Sequence, residues 1–124
     1  MFEILEDTEN DIVRVAFVGE IQPTDCEVID PIFEKIIKTR QPLRLLFDWT
    51  RFSGWSQESE SQGFWYRIRH RGDMERIAVV GERKWHSAVT EFDTIVDAEV
   101  RLYDTRSEDE AVRWLRDDWK PHPK

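Results

Sequence analysis

The chain of 124 residues is 40% hydrophobic and 35% charged, which is typical of one soluble globular domain over residues 1–124. Lys and Arg number 18 against 26 Asp and Glu, so the formal net charge is −8. This charge excludes general nucleic-acid binding, which needs a basic face for the phosphates. The single cysteine, Cys26, excludes an internal disulfide and a cysteine-cluster metal site. The acidic N-terminus and the lack of a long apolar run predict a cytoplasmic protein without a signal peptide or membrane span.

The first part of the chain predicts a hairpin followed by a helix. Residues 1–5 and 12–18 have the short apolar or alternating pattern of two strands, joined at "TEND". In "PTDCEVIDPIFEKIIKTR", Thr24 and Glu27 form a capping-box signature, and apolar residues recur at helical spacing in one stripe. Because proline lacks a backbone N–H, Pro31 predicts a kink or a restart of the helix with Asp30 as its cap. The stripe that we expect to pack on the sheet is Val28, Ile29, Ile32, Phe33, Ile36 and Ile37.

Three compact apolar runs follow, at residues 43–47, 76–81 and 98–103, and each predicts a strand buried on both faces. The first run ends at Asp48. A helix is expected from about Arg83, with Trp85, Val89 and Phe92 on one side. The last helix opens with a second capping box and ends before a frayed tail at residues 119–124.

Strands that alternate with helices predict an α/β domain with a mixed, mostly parallel sheet of about five strands and about four helices. Parallel strands need crossovers, and these are almost always right-handed. We therefore expect residues 43–47, 77–80 and 99–102 to form adjacent parallel strands, with residues 12–18 in the same sheet.

Several blocks of the sequence resemble the SpoIIAA-like family: "GEIQPTD", "LLFDW…FSGW", "ERIAVVGERKW" and "AEVRLYD…DEAVRWL". The resemblance covers nearly the whole chain, and its last two blocks are the most specific. It implies a fold related to STAS domains and to the CRAL-TRIO lipid-binding fold. It implies no catalytic residues, and it suggests membrane association or the binding of apolar ligands.

The resemblance also bears on Ser53. STAS anti-sigma antagonists carry Asp-Ser-Ser-Gly with a phosphorylated serine before the glycine, whereas this chain has "RFSG" there. Ser53 and Gly54 match that motif, but Arg51 and Phe52 replace its aspartate and first serine. We therefore expect Ser53 to be a turn or cap residue and not a phosphorylation switch.

The segment "GFWYRIRHRG" contains three adjacent aromatic residues, Phe64, Trp65 and Tyr66. In a helix these residues span an arc of about 200°, which is wider than an ordinary amphipathic stripe. One ring, expected to be Tyr66, therefore faces water, a ligand or another chain. In the simpler interpretation two rings pack in the core and the tyrosine hydroxyl forms a hydrogen bond. In the functional interpretation the helix covers an apolar pocket or lies against a membrane, with Arg67, Arg69 and Arg71 contacting phosphates.

The sequence signals for other functional sites are weaker. Asp48 follows a buried strand, where α/β folds bind ligands, but no partner base is evident and a turn cap is the simpler role. The histidines are scattered, and none has metal-ligand spacing; we predict no metal site and no cofactor. No phosphate-binding glycine motif or nucleophile elbow is present.

The sequence therefore predicts a non-enzymatic domain that binds an apolar or amphipathic, lipid-like ligand, or associates peripherally with a membrane, through a helix at residues 58–71. The alternative is a STAS-type protein-interaction or regulatory module, with a protein partner or a second copy of the chain. The predicted ligand-binding residues are Phe52, Trp55, Phe64, Trp65, Tyr66, Ile68 and Trp85. The predicted membrane or anion contacts are Arg67, Arg69 and Arg71.

Overall fold

The structure, a computed structural model, describes residues 1–7, 12–39, 43–56, 74–95 and 98–117. It contains one five-stranded sheet whose strands lie side by side in chain order. These strands are β1 (Phe2–Asp7), β2 (Ile12–Ile21), β3 (Leu43–Trp55), β4 (Met74–Val80) and β5 (Glu99–Tyr103). The helices are α1 (Pro23–Thr39), α2 (His86–Ile95), which follows a 3-10 turn at Arg83–Trp85, and α3 (Glu108–Arg116).

The sheet is parallel except for its first strand. β1 runs antiparallel to β2, whereas the pairs β2–β3, β3–β4 and β4–β5 are parallel. The predicted adjacency of residues 43–47, 77–80 and 99–102 is therefore confirmed, with residues 12–18 in the same sheet. The described part of the chain has three α-helices where about four were expected, and the helix predicted at residues 58–71 lies outside the described residues.

The two faces of the sheet build two cores of different size. On the larger one, Phe47 of β3 packs in a cluster with Ile29 of α1 and Val89 of α2. The helices α1 and α2 thus lie on the same face, as right-handed crossovers require when the chain moves in one direction across a sheet. The opposite face is covered by α3. Its core consists of Ile12, Leu46, Ala78, Val80, Ala111 and Leu115.

Helix α1 differs in detail from its prediction. It begins at Pro23, one residue before the predicted capping box, and continues through Pro31 without a restart. Proline suits the first helical position because its missing N–H would be unpaired there. The carboxylate of Asp25 stabilises this end: its Oδ2 accepts a hydrogen bond from the backbone N–H of Gln22 at 2.8 Å.

Strand β3 is longer than predicted, so Asp48 lies within the strand and not at its end. The strand does not end at Asp48 but continues to Trp55. Its pairing with β2 slips twice, opposite Ala16–Val18 and again after Gly19, and each slip inserts one extra residue into β3. Such bulges interrupt the alternation of side chains, which is why the sequence pattern was lost after Asp48.

The second extra residue is Ser53. Gly19 of β2 pairs with Phe52 and Glu20 pairs with Gly54, so Ser53 has no partner in this register. Ser53 therefore lies in a bulged strand with its side chain exposed, and the expectation of a turn or cap residue was wrong.

Two arginines hold the C-terminal end of α3 against the sheet. Nη1 of Arg44 donates hydrogen bonds to the carbonyl oxygens of Leu115 at 2.5 Å and Asp117 at 2.6 Å. Nη1 of Arg76, on the neighbouring strand, donates to the carbonyl oxygen of Trp114 at 2.7 Å. The last carbonyls of a helix lack intrahelical partners and form the negative end of its dipole. The two guanidinium groups donate hydrogen bonds to these carbonyls and place positive charge at the negative end of the helix dipole.

Candidate functional site

The two bulges of β3 place four aromatic residues on one face of the sheet. In a regular strand, side chains at alternate positions share a face. Phe47, Trp49, Phe52 and Trp55 instead have spacings of two, three and three, yet all four pack against the same core. Each step of three contains one bulge, so the inserted residues bring Phe52 and Trp55 to the face that holds Phe47.

These rings form an aromatic cluster near the carboxyl ends of β2 and β3, which we define as Phe17, Trp49, Phe52, Trp55 and Trp85. Phe52 stacks on Trp85 with a centroid distance of 4.8 Å and an interplanar angle of 28°. Trp55 meets Phe52 edge-on at 5.7 Å, and Trp49 meets Trp85 at 5.7 Å. Phe52 is 5% exposed, whereas Trp55 and Trp85 are half-buried. Most of the aromatic cluster is therefore core, with two indoles at its border.

Three predicted ligand-binding residues, Phe52, Trp55 and Trp85, thus come together in the structure. The Nε1 atom of Trp85 is buried, and no described residue accepts a hydrogen bond from it. A buried N–H normally has an acceptor, so this donor is the polar feature of the cluster border. The remaining predicted residues lie outside the described residues: Phe64, Trp65, Tyr66, Arg67, Ile68, Arg69 and Arg71.

Asp48 faces the opposite side of the sheet, away from the aromatic cluster. Its Oδ1 accepts hydrogen bonds from the backbone N–H and the hydroxyl of Thr50, at 2.9 and 2.6 Å. It lines a small cleft of about 330 Å³ with charged neighbours, among them Arg51, which pairs with Glu3 at 3.0 Å. The carboxylate of Asp48 therefore supports the local conformation of the strand. The described residues contain no group of three or more His, Cys, Asp or Glu placed to hold a metal ion.

An open apolar groove of about 690 Å³ lies between β1 and α1, and we call it the β1–α1 groove. Met1 and Asp25 lie among its lining residues, and the N-terminal ammonium lies 3.2 Å from Asp25 Oδ2. Its apolar lining consists of Phe2, Ile4, Val28, Ile29, Ile32 and Ile36.

Side chains that were predicted to pack on the sheet line this groove. Val28 is 66% exposed and Ile32 is 40% exposed, whereas Ile29 and Ile36 of the same stripe are buried. With Met1, these two are the large apolar side chains that are exposed in the described part of the chain, and all three line the groove.

The sequence of α1 contains a signal for this groove in the width of its apolar stripe. At about 100° per residue, the apolar stripe of α1 spans an arc of about 180° from position 28 to position 37. A sheet covers a narrower stripe than that. The width argument applied to residues 64–66 therefore also predicts that α1 leaves apolar surface uncovered.

Comparison with known proteins identifies the family to which this chain is similar. The SpoIIAA-like family model matches residues 12–116. A search of curated proteins found no match. Among solved structures, an uncharacterised protein from Shewanella loihica with a SpoIIAA-like fold has a TM-score of 0.74 at 18% identity, covering 93% of this chain and 92% of that one. The unphosphorylated anti-sigma factor antagonist SpoIIAA has a TM-score of 0.65 at 15% identity, covering 94% and 99%.

A third similar structure is the Bacillus cell fate determinant SpoIIAA in its phosphorylated form, with a TM-score of 0.58 at 12% identity, covering 92% of this chain and 99% of that one. At these identities the structural matches establish the fold. No helix in the described part of the chain is long and apolar enough to cross a membrane.

Proposed function

Because this chain belongs to the SpoIIAA-like family, we propose that it is a non-enzymatic regulatory module that acts by binding another protein. One of the similar structures is an anti-sigma factor antagonist, a regulator by name. The observation that carries the proposal is the β1–α1 groove, which gathers the exposed Met1, Val28 and Ile32 in one place. Scattered exposed apolar residues are ordinary, but a contiguous apolar patch is typical of a binding surface.

The groove is well suited to contact with a partner. Exposed apolar surface gains about 25 cal/mol per Å² when a partner removes it from water. The buried Ile29 and Ile36 fix α1 on the sheet, so the exposed Val28 and Ile32 are held by a helix that is already anchored. A preorganised surface loses less conformational entropy on binding.

The test compares three single variants that each add one positive charge on α1. Val28→Lys and Ile32→Lys place an ammonium in the groove, whereas Thr24→Lys places it at an exposed position that does not line it. A protein captured by the wild type from its source cells is purified and titrated against all variants by calorimetry. We expect Thr24→Lys to bind like the wild type and the two groove variants to bind at least tenfold more weakly. Equal affinities for all four proteins would contradict the proposal.

A second candidate function is the binding of an apolar or amphipathic, lipid-like ligand, or peripheral membrane contact by a cytoplasmic protein. It is supported by the meeting of Phe52, Trp55 and Trp85 at the carboxyl ends of the strands, the side where α/β sheets bind ligands. The Nε1 of Trp85, which has no acceptor among the described residues, is a donor suited to a polar group of such a ligand. In this candidate, Phe64, Trp65, Tyr66 and Ile68 add apolar contacts, and Arg67, Arg69 and Arg71 bind phosphate groups.

Vesicle binding tests the membrane form of this candidate. We expect Tyr66→Ala to weaken binding to anionic vesicles with little change in melting temperature, because exposed substitutions usually change stability by no more than about 0.5 kcal/mol. Replacing Arg67, Arg69 and Arg71 by Gln should weaken binding further at low salt, since ionic strength screens exposed charges. Wild-type protein that binds neither vesicles nor an apolar fluorescent probe would exclude the second candidate.

The indole donor gives a separate test of a bound ligand. Trp85→Phe removes the N–H but keeps an aromatic ring next to Phe52, and Trp55→Phe is the matched control. If a ligand accepts a hydrogen bond from Nε1, affinity for a lipid that co-purifies with the protein falls in Trp85→Phe and is retained in Trp55→Phe. Equal loss in the two variants would assign the effect to packing.

A further inference from the structure

One side of α1 carries four side chains whose spacing is symmetric. At intervals of three, four and three residues they are Asp25, Val28, Ile32 and Lys35. At about 100° per residue, these side chains lie within an arc of about 80°. Val28 is 66% exposed, Ile32 is 40% exposed, and Lys35 is exposed as well. The side chain of Asp25 is 22% exposed. Alternating intervals of three and four residues are typical of the contact seam between two helices that pack side by side.

This pattern is complementary to itself when two such helices run in opposite directions. Val28 then lies opposite Ile32 of the other helix, and Asp25 lies opposite Lys35 of the other helix. Both pairings occur twice, as the two-fold axis of a homodimer requires. In a parallel pair, by contrast, each carboxylate would face a carboxylate and each ammonium an ammonium, which is unfavourable. The antiparallel arrangement also places the positive end of each helix dipole beside the negative end of the other.

We infer that the β1–α1 groove binds α1 of a second copy of this chain, so that the protein forms a two-fold dimer through antiparallel α1 helices. This inference rests on the proposed role of the groove as a protein-binding surface, and it specifies the partner. The helix has 17 residues, which corresponds to a length of about 25 Å, so the whole pattern lies within it. Ile4 of β1 lines the same groove, and it adds apolar surface beneath the second helix.

The apolar and the charged contacts of this dimer have different roles. Contacts between Val28 and Ile32 supply the affinity, because they remove exposed apolar surface from water. The ion pairs between Asp25 and Lys35 select the antiparallel direction more than they add affinity. The N–H of Gln22 and the N-terminal ammonium both contact Oδ2 of Asp25. A carboxylate has a second oxygen that accepts hydrogen bonds, and a lysine ammonium has three donors. The ion pair can therefore form while both side chains keep their present contacts.

The experiment measures the monomer–dimer equilibrium of the full chain by sedimentation equilibrium at physiological salt. This ionic strength screens the repulsion between two copies of net charge −8. We expect the wild type to dimerise, and we expect Val28→Glu and Ile32→Lys each to weaken dimerisation at least tenfold, because each places a charge against an apolar side chain. Glu27→Gln is the matched control, since it gives the same net charge as Ile32→Lys at an exposed position of α1 that does not line the groove. It should dimerise like the wild type.

A mixture of two variants tests which residues lie opposite each other. When Val28→Glu and Ile32→Lys are combined, the antiparallel pairing brings the introduced carboxylate and the introduced ammonium together, and the other layer keeps its two native apolar side chains. We expect this mixture to associate at least tenfold more tightly than either variant alone. A mixture of Val28→Glu and Val28→Lys carries the same charges, but each charge faces Ile32 of the other copy, so association should not recover. Circular dichroism checks that all variants are folded.

The outcomes separate this inference from the function on which it rests. If the wild type stays monomeric while Val28→Lys loses a captured protein, the proposed function stands and the second copy is the wrong partner. If Val28→Glu and Ile32→Lys leave the wild-type dimer intact, the dimer forms elsewhere and the inference is also wrong. Equal association of the two mixtures would reject the antiparallel pairing. A dimer that depends on the groove, together with a captured protein that binds all variants equally, would support the inference and contradict the binding of another protein at this groove.

Discussion

At the scale of single residues, Arg44 is the buried charge that connects α3 to the sheet. Its side chain is 1% exposed, and its guanidinium group donates to two backbone carbonyls and to Oε1 of Glu75 at 2.7 Å. Glu75 is 43% exposed, so the ion pair is partly solvated. The larger energetic contribution therefore comes from the buried hydrogen bond to the carbonyl of Leu115, because the carbonyl of Asp117 also accepts a hydrogen bond from Nη1 of Arg76 at 3.0 Å.

This division of roles predicts unequal effects of two substitutions. Arg44→Met keeps much of the side-chain volume but removes the donor from the buried hydrogen bond to the carbonyl of Leu115, and we expect a loss of about 2–3 kcal/mol in the free energy of unfolding. Glu75→Gln removes only the partly exposed charge and should cost no more than about 1 kcal/mol. Urea denaturation measures both. Equal losses would mean that the ion pair, not the carbonyl contacts, dominates.

Ser53 gives a second prediction at this scale. Its side chain is exposed and belongs to the extra residue of a bulge, and the motif residues around it differ from those of the phosphorylated antagonists. We expect Ser53→Ala and Ser53→Asp to leave stability within about 0.5 kcal/mol of the wild type and to leave partner binding unchanged. Opposite effects of the two substitutions on partner binding would reveal a phosphorylation switch.

At the scale of elements, the shape of β3 depends on glycine at the second bulge. Gly54 follows the extra residue and has φ of +119°, a conformation that side chains of L-residues rarely adopt. A Cβ at this position would meet no atom within 4 Å. The requirement for glycine is therefore in the backbone, and the bulge in turn positions Trp55 beside Phe52.

Gly54→Ala should consequently destabilise the protein by about 1–3 kcal/mol through backbone strain alone. Ser53→Ala, one residue earlier in the same strand, is the control. Thermal and urea unfolding measure the change, and near-ultraviolet circular dichroism reports whether the Trp55 environment is altered. An unchanged free energy of unfolding for Gly54→Ala would show that the bulge relaxes at no cost.

At the scale of the whole molecule, one sheet contributes side chains to two hydrophobic cores, and adjacent residues of β3 pack in different cores. Leu45 packs in the larger core with α1 and α2, and Leu46 packs in the smaller core under α3. Both are fully buried. Because β2, β3 and β4 contribute buried side chains to both cores, the loss of either core should disrupt the shared sheet.

Leu45→Ala and Leu46→Ala test this coupling. Each should lower the free energy of unfolding by about 2–5 kcal/mol, the usual cost of a buried leucine cut to alanine. If the two cores unfold as one unit, both variants shift the urea midpoint in a single transition with an unchanged m-value. A second transition in Leu46→Ala, with early loss of α3, would show that the smaller core unfolds independently.

The sequence by itself determined the order of elements, the sheet of mostly parallel strands and the family. Local patterns suffice for the elements and the sheet, since buried runs such as residues 43–47 and the apolar stripe of α1 report burial directly, and the family followed from the resemblance of the quoted sequence blocks. The segment around residues 64–71 was also identified from sequence, and its role remains a prediction because it lies outside the described residues.

Only the tertiary structure decided where β3 ends, which face Phe52 and Trp55 take, and which part of the α1 stripe stays exposed. The bulges of β3 depend on its register with β2, a strand far away in the sequence. The exposure of Val28 and Ile32 depends on how much of α1 the sheet covers, and the burial of Arg44 depends on where α3 ends. Each of these features is set by contacts between distant segments, which a local pattern of apolar and polar residues does not encode.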